Sequence, residues 1–151
     1  MLITDAACLD RPGVQRGIRR MQGGAHEIWA KLDAGTDDYY KVVNRSAIPF
    51  SRILKNITET AKWCPLIIQS LFLRVFGAPP TEQEIRTYAG RLLEIQRQGG
   101  KILGLQLYTV ARPTPMDWAT ALSDEELDKI AILVKDITDL PYQLSYGNAN
   151  V

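Results

Sequence analysis

The chain has 151 residues, of which 46% are hydrophobic and 23% are charged, and its 18 Lys and Arg nearly balance its 17 Asp and Glu, for a formal net charge of +1. This composition predicts one globular domain and excludes intrinsic disorder, which goes with low hydrophobicity and high net charge. The charge balance argues against nucleic acid or an anionic membrane as the partner, and no apolar run approaches the roughly 20 residues of a membrane span.

Short apolar segments typical of buried strands alternate with segments that carry helix signals. The strand segments are bounded by Pro or Gly, which favours a parallel sheet. In chain order we predict a strand remnant within residues 2–9, a helix over 11–21, a strand over 27–32, a helix that Ser51 caps and Pro65 ends, a strand over 66–73, a helix that Thr81 caps, a strand over 102–110, a helix that Ser123 caps and a short, fraying strand after Tyr142.

Two of the helix starts match the capping box, in which a Ser or Thr and an acidic residue three positions later satisfy each other's backbone N–H groups. They are Thr81 with Glu84 and Ser123 with Glu126. The regular alternation of strands and helices predicts an α/β fold with a parallel sheet and right-handed crossovers.

Each predicted strand has one apolar face and one face that carries polar groups toward its carboxyl end. In the strand over 102–110, we expect Leu103, Leu105 and Leu107 to pack under helices. The opposite faces of the three strands carry Trp29, Lys31 and Asp33, then Gln69, and then Gly104, Gln106 and Tyr108. Polar side chains at the carboxyl ends of parallel strands are typical of the functional face of a barrel.

Three segments together resemble the later strands of radical SAM enzymes, specifically the iron–sulfur oxidoreductase branch related to wyosine-synthesis enzymes. They are residues 29–36 (WAKLDAGT), 68–73 (IQSLFL) and 106–113 (QLYTVARP), accompanied by Asn44-Arg45 and by the helix start at Thr81. The resemblance implies a partial, half TIM-type barrel of about four parallel β/α units. It covers one domain over residues 1–146, and we expect a disordered tail over 147–151.

The sequence departs from that family in its cysteines. Radical SAM enzymes bind a [4Fe-4S] cluster through a CxxxCxxC loop, whereas Cys8 and Cys64 belong to no such motif. We therefore predict no metal site in this chain, and a cluster only where a missing N-terminal segment supplies it. On this basis we expect the chain to be a truncated reading frame, a split gene or a relic. The two free cysteines, and Asp5 where a signal peptide would be basic, favour a reducing cytoplasm.

The resemblance implies that S-adenosylmethionine binds at the strand ends, through Lys31, Asp33, Gln69, Gln106, Tyr108 and Arg112. It places Lys31 and Asp33 at the methionine end or ribose, and Tyr108 against adenine. The residues themselves leave other interpretations open.

Those alternatives need no ligand. Lys31 and Asp33 can form an ion pair that supports the next turn, and the two glutamines can satisfy each other's hydrogen bonds. Tyr108 can be plain core, and Arg112 can steer an anionic substrate or be solvated. No catalytic residue is identified.

The first functional hypothesis is a radical SAM protein that is inactive alone and needs a partner chain carrying the N-terminal half-barrel. The alternative is a non-enzymatic degenerate half-barrel, a binding or dimerisation module that pairs with a second copy through its open sheet edges. A flavodoxin-like domain that binds a nucleotide is disfavoured because no Gly-rich first loop is present.

Overall fold

The structure is a computed structural model that describes residues 1–22, 24 and 26–147. It confirms the predicted alternation of strands and helices. The strands are β1 (Leu2–Thr4), β2 (Ile28–Lys31), β3 (Leu66–Leu71), β4 (Leu73–Val75), β5 (Ile102–Tyr108), β6 (Ala119–Ala121) and β7 (Tyr142–Ser145). The helices are α1 (Pro12–Met21), α2 (Asp37–Val43), α3 (Phe50–Trp63), α4 (Glu82–Arg97) and α5 (Asp124–Thr138). The sequence patterns do not predict α2.

Five strands of the described part of the chain form one parallel sheet in the order β1-β2-β3-β5-β7. The strands of this sheet thus lie side by side in the order in which they occur along the chain, and this order never reverses; β4 and β6 lie outside the sheet. Right-handed connections of this kind place their helices on the same face of the sheet. A flavodoxin-like sheet needs a reversal of strand order, so that interpretation is wrong.

One face of this sheet packs against the helices and forms the core. Ile28, Ala30, Leu66, Ile68 and Leu107 lie on it and are at most 3% exposed. The helices contribute apolar stripes to the same core, with Ile18, Ile57, Leu92 and Leu127 among their most buried members. Each such aliphatic side chain contributes about 1.5–3 kcal/mol of stability by leaving water.

The opposite face, which we call the open face, carries the alternate residues of each strand and is only half-buried. Strand pairing aligns these residues in rows across the sheet. The apolar row consists of Ile3, Trp29 and Ile67. The polar row lies nearer the carboxyl ends of the strands and consists of Lys31, Gln69, Gln106 and Gln143. The open face thus has an apolar floor below a polar layer.

Two details of the strands differ from the prediction. The strand predicted over 66–73 ends at Leu71, because Leu73–Val75 pairs antiparallel with β6 in a separate two-stranded sheet. Leu103, predicted to pack under helices, is instead 57% exposed. The pairing of β3 with β5 shifts register between Leu66 and Ile67 and skips Leu103, so this bulged residue joins the open face.

The helix starts agree with the capping predictions in part. Ser123 forms the complete box, in which its Oγ accepts from the N–H of Glu126 and its own N–H donates to the Glu126 carboxylate, at 3.2 and 2.9 Å. Thr81 caps α4 with its side chain, as predicted. The prediction that Ser51 caps α3 is wrong, because Pro49 stands at the cap position and the helix already begins at Phe50.

We expect Ser123→Ala to lower the free energy of unfolding by about 1 kcal/mol, because it removes the Oγ that accepts from the Glu126 N–H, while the backbone N–H of residue 123 still donates to the Glu126 carboxylate. Ser51→Ala is the matched control, since Ser51 is exposed within the first turn of α3, and the change leaves stability within about 0.5 kcal/mol. Urea unfolding curves measure both values. Equal losses in the two variants would contradict this assignment of the caps.

The chain end is described up to Gly147. The short strand predicted after Tyr142 is confirmed as β7, which pairs with β5. Residues 148–151 of the tail predicted to be disordered lie outside the described residues. None of the described helices has the length and apolar character of a membrane span.

Candidate functional site

The polar row brings three of the predicted site residues together on the open face. Lys31, Gln69 and Gln106 are register partners on β2, β3 and β5. Nε2 of Gln69 donates to Oε1 of Gln106 at 2.6 Å, and Nε2 of Gln106 donates to Ser145 Oγ at 3.3 Å. The two glutamines thus satisfy each other in part, and a ligand can use the remaining amide groups.

Lys31 is the last residue of β2 and Asp33 lies two residues later, but the two side chains differ in what they offer a ligand. Lys31 Nζ lies 3.7 Å from Asp33 Oδ2, and the Lys31 side chain is 31% exposed against 3% for Asp33. Oδ1 of Asp33 accepts from the backbone N–H of Leu71 and Oδ2 from the side chain of Asn44, each at 2.9 Å. Asp33 therefore ties β2 to its surroundings, whereas Lys31 keeps donors for a ligand.

Lys31 remains a cation despite its partial burial. Burial by itself would lower the pKa of Lys31, but the nearby Asp33 carboxylate and Tyr108 outweigh it and hold this pKa above its ordinary value. A cavity of about 270 Å³ at the carboxyl ends of β1 and β2 is lined by Lys31 together with Asp5, Asp33 and Asn44. The charged side chains of its lining are therefore one ammonium group and two carboxylates.

Tyr108 and Arg112 extend the site beyond β5. Tyr108 is the last residue of β5 and lies half-buried on the open face. Arg112 is exposed in the following loop, and it lines one cleft together with Tyr108. The structure therefore gathers four of the six predicted residues on one surface, with Arg112 at its margin and Asp33 engaged in structural contacts.

A buried carboxylate that the sequence patterns do not reveal holds the loop after β2. Glu84 of α4 is 7% exposed, and it accepts hydrogen bonds from the N–H groups of Gly35 and Thr36 at 2.6 and 3.2 Å and from Thr36 Oγ1 at 2.7 Å. Its position three residues after Thr81 predicts a capping box instead. That part of the prediction is wrong, because the carboxylate reaches a loop far away in the sequence.

A second buried contact ties β2 to β3 and α4. Ser70 Oγ donates to the carbonyl oxygen of Leu32 and shares a hydrogen bond of 2.6 Å with the hydroxyl of Tyr88. Burial raises the pKa of Tyr88, against the smaller effect of its hydrogen bond to Ser70. Together with Glu84, this contact fixes the direction of the chain directly after Lys31.

Tyr39 on α2 carries a buried hydroxyl that has no hydrogen-bond partner within the part of the chain that the structure describes. Burial, and then the charge of Glu84, raises the pKa of Tyr39 to about 12. We expect Tyr39→Phe to raise the free energy of unfolding by about 1 kcal/mol at pH 7, because an unsatisfied buried hydroxyl is destabilising.

The advantage of Tyr39→Phe over the wild type is expected to grow at high pH. An unfolded tyrosine loses its proton at about pH 10, whereas the folded Tyr39 keeps it until about 12. The wild type therefore keeps the full contribution of this pKa difference to its free energy of unfolding below pH 10, and loses it as the pH rises from 10 to 12. Urea unfolding at pH 7, 10 and 11.5 measures the difference. A variant that is less stable than the wild type at pH 7 would show that the hydroxyl has a partner.

The two cysteines lie at opposite ends of the parallel sheet. Cys8 follows β1, at the carboxyl end, whereas Cys64 precedes β3, at the amino end. Burial raises the pKa of the Cys64 thiol and so disfavours the thiolate that binds metals. Among the described residues, no group of three or more His, Cys, Asp or Glu side chains could hold a metal ion. The residues of this chain do not fit an iron–sulfur cluster, which requires several thiolates.

Comparison with known proteins concerns the fold. No family model and no curated protein matches the sequence. Among solved structures, the chain is similar to a radical SAM methyltransferase from Sphaerobacter thermophilus, with a TM-score of 0.62 at 15% sequence identity, over 89% of this chain and 38% of that chain. The likeness is one of fold alone. The sheet and its helices are thus consistent with part of a barrel-like α/β fold, and the chain spans less than half the length of this neighbour.

Proposed function

We propose that this chain is a half TIM-type barrel of the radical SAM class that binds S-adenosylmethionine on its open face. The polar row carries the proposal, because it lies toward the carboxyl ends of parallel strands, on the face turned away from the helices. In barrels of parallel strands, ligands bind at that end. The likeness in fold to a radical SAM methyltransferase supports the class of ligand.

The groups on the open face match the parts of S-adenosylmethionine. The Lys31 ammonium suits the carboxylate of the methionine end, since a charge-assisted hydrogen bond is strong where water has limited access. The amides of Gln69 and Gln106 suit the ribose hydroxyls, and the ring of Tyr108 offers a face to adenine. When bound, the sulfonium supplies a carbon–sulfur bond whose reductive cleavage begins radical chemistry.

Asp33 and Arg112 have different parts in this proposal. Asp33 holds Lys31 in place through its contacts with β3 and Asn44. Arg112 stands at the margin of the open face. Because Leu71 and Asn44 already engage the Asp33 carboxylate, the proposal assigns Asp33 no direct contact with the nucleotide.

The [4Fe-4S] cluster of such an enzyme has to be held by another segment, because the two cysteines of this chain do not fit it. We therefore propose that radical chemistry requires a complementary half-barrel that carries the cluster. Anaerobic reconstitution of this chain with iron and sulfide is expected to give no stoichiometric cluster absorbance. A stoichiometric cluster on this chain alone contradicts that part of the proposal.

Calorimetric titration with S-adenosylmethionine and with 5′-methylthioadenosine, which lacks the amino-acid end, tests the site. We expect Lys31→Ala to weaken binding of S-adenosylmethionine about tenfold or more, while binding of 5′-methylthioadenosine stays within about twofold. Lys55→Ala is the control, since Lys55 is an exposed lysine on α3. The proposal is wrong if the wild type does not bind S-adenosylmethionine, or if both variants bind it equally well.

A non-enzymatic dimerisation module is the second candidate, and the exposed apolar surface favours it. Ile3 is 46% and Leu103 57% exposed, and a groove of about 370 Å³ lined by Trp29, Ile67 and Tyr142 runs along this part of the open face. Parallel sheets are normally covered on both faces, and the outer edges of β1 and β7 are available for pairing. A second copy could cover the groove through these edges.

Sedimentation of Leu103→Asp and Ile132→Asp separates the two candidates. The two residues are 57% and 56% exposed, but Ile132 lies on α5, on the helical side of the sheet. Dimerisation through the open face predicts that the first substitution yields a monomer and the second leaves the dimer intact. A monodisperse monomer of the unchanged protein argues against this candidate.

A further inference from the structure

The parallel sheet ends in two edges, and a helix accompanies each of them. Within the described chain, β1 and β7 each pair with one strand only, so the N–H and C=O groups on their outer sides have no strand partner. Along the chain, α1 follows β1 and α5 precedes β7. Because both edge strands run in the same direction, β7 of one copy can form a parallel pair with β1 of a second copy.

The helix beside the β1 edge is basic. α1 contains three arginines and no acidic residue. Arg19 lies over the ring of Trp63 at the end of α3, 4.1 Å from the ring centre, and so marks the flank of α1 that faces the rest of the fold. The guanidinium of Arg16 lies elsewhere, because a Cβ atom at Gly13 would meet it at 3.8 Å. One turn later, a Cβ atom at Gly17 would meet nothing within 4 Å, so this second flank is uncovered.

The helix beside the β7 edge is acidic. α5 contains five acidic residues and two lysines. Asp128 Oδ1 accepts a hydrogen bond of 2.6 Å from the hydroxyl of Tyr146, which directly follows β7, so this flank of α5 lies toward the edge of the sheet. Asp124 lies one helical turn earlier on the same flank, and Glu125 is next to it. Both are exposed, and neither pairs with a Lys or Arg of the described chain.

We propose that two copies of this chain form a closed dimer, in which the β1 edge of each copy pairs with the β7 edge of the other and α1 lies beside α5 of the second copy. Arg16 and Arg20 of α1 are exposed and have no carboxylate within ion-pair distance in the described chain. In the dimer they face the acidic start of α5. Pairing of two β1 edges or two β7 edges would instead bring like charges together.

The closed arrangement covers every exposed part of the sheet at once. Two five-stranded sheets joined at both edges leave no strand edge free, and they enclose the open face between them. The same contact occurs twice, which closes a ring of two copies. This inference names the partner and the contact of the dimerisation module, the second candidate function, on which it rests. Binding of S-adenosylmethionine plays no part in it.

Reversal of charge on one helix at a time tests the contact. The α1 variant is Arg16→Glu with Arg20→Glu, and the α5 variant is Asp124→Lys with Glu125→Lys. We expect each variant alone to dimerise at least tenfold more weakly than the unchanged protein in sedimentation equilibrium at low ionic strength, because both contacts of the ring then join like charges. A mixture of the two variants should form a heterodimer in native mass spectrometry, since both contacts again join opposite charges.

The matched control reverses two basic side chains away from both edges, Arg97→Glu with Lys101→Glu, which are exposed at the end of α4 and before β5. It should leave the dimer unchanged. Should the α1 variant lose its circular dichroism spectrum, Arg16→Gln with Arg20→Gln carries the same expectation of weaker dimerisation. A monomeric unchanged protein, variants that dimerise as tightly as it does, or folded variants that form no heterodimer overturn the inference. A failure to bind S-adenosylmethionine changes none of these outcomes.

Discussion

Gly35→Ala is expected to lower the free energy of unfolding by about 3 kcal/mol or more. A Cβ atom at Gly35 would overlap the backbone nitrogen of Tyr88 and lie 2.7 Å from the Tyr88 Cα and 2.8 Å from the carbonyl carbon of Thr87. These are backbone atoms of a packed helix, which cannot rotate aside as a side chain can. Either the loop after β2 or α4 has to move, and the network that positions Lys31 moves with it.

Gly90→Ala is the matched control on the same helix. A Cβ at Gly90 meets nothing within 4 Å, and alanine is preferred over glycine in a helix interior, so we expect a gain of up to about 1 kcal/mol. Urea unfolding of both variants measures the difference. A loss below about 1 kcal/mol in Gly35→Ala would show that α4 and the loop do not touch as described.

Glu84→Ala is expected to lower the free energy of unfolding by about 3 kcal/mol. The substitution removes the acceptor of the Gly35 and Thr36 N–H groups, and Gly35 is buried where water cannot replace the carboxylate. Hydrogen bonds to a charged group contribute about 1.5–3 kcal/mol each, and an unsatisfied buried donor adds to the loss. The loop that carries Asp33 should loosen in the same variant.

Glu82→Ala provides the comparison two residues earlier in α4. Glu82 is exposed and pairs with Arg86 across one helical turn, an interaction of about 0.5 kcal/mol or less. Glu84→Gln keeps one acceptor oxygen and should fall between the two alanine variants. Denaturant midpoints rank the three proteins, and equal losses in Glu82→Ala and Glu84→Ala would place the Glu84 carboxylate in solvent.

Local patterns predict the elements of this fold where their causes are local. The Ser123 capping box forms as predicted because both partners lie within one helical turn. The Thr81 box forms in part because Glu84 finds better partners in a loop that is distant in sequence. Ser51 carries a cap signal, but the backbone at Pro49 starts the helix earlier.

The candidate site is predictable to the extent that strand register follows from hydrophobic alternation. Gln69 and Gln106 fall on the polar side of their strands, and parallel pairing brings them into one row. The bulge at Leu103 is not visible in the sequence, because the segment alternates as if it were regular. The burial of Asp33 also depends on Asn44, which is contributed by the loop after α2.

The measurement that tests the central claim most directly is ¹⁹F NMR of the chain with its three tryptophans replaced by 5-fluorotryptophan. Trp29 lies on the open face, whereas Trp63, the last residue of α3, packs against Arg19 of α1. We predict that S-adenosylmethionine shifts the Trp29 resonance and leaves the Trp63 resonance in place, and that Lys31→Ala requires about tenfold more S-adenosylmethionine for the same shift. A Trp29 resonance that does not respond to saturating S-adenosylmethionine, or one that responds over the same concentrations in Lys31→Ala, would contradict the assignment of the open face as its binding site.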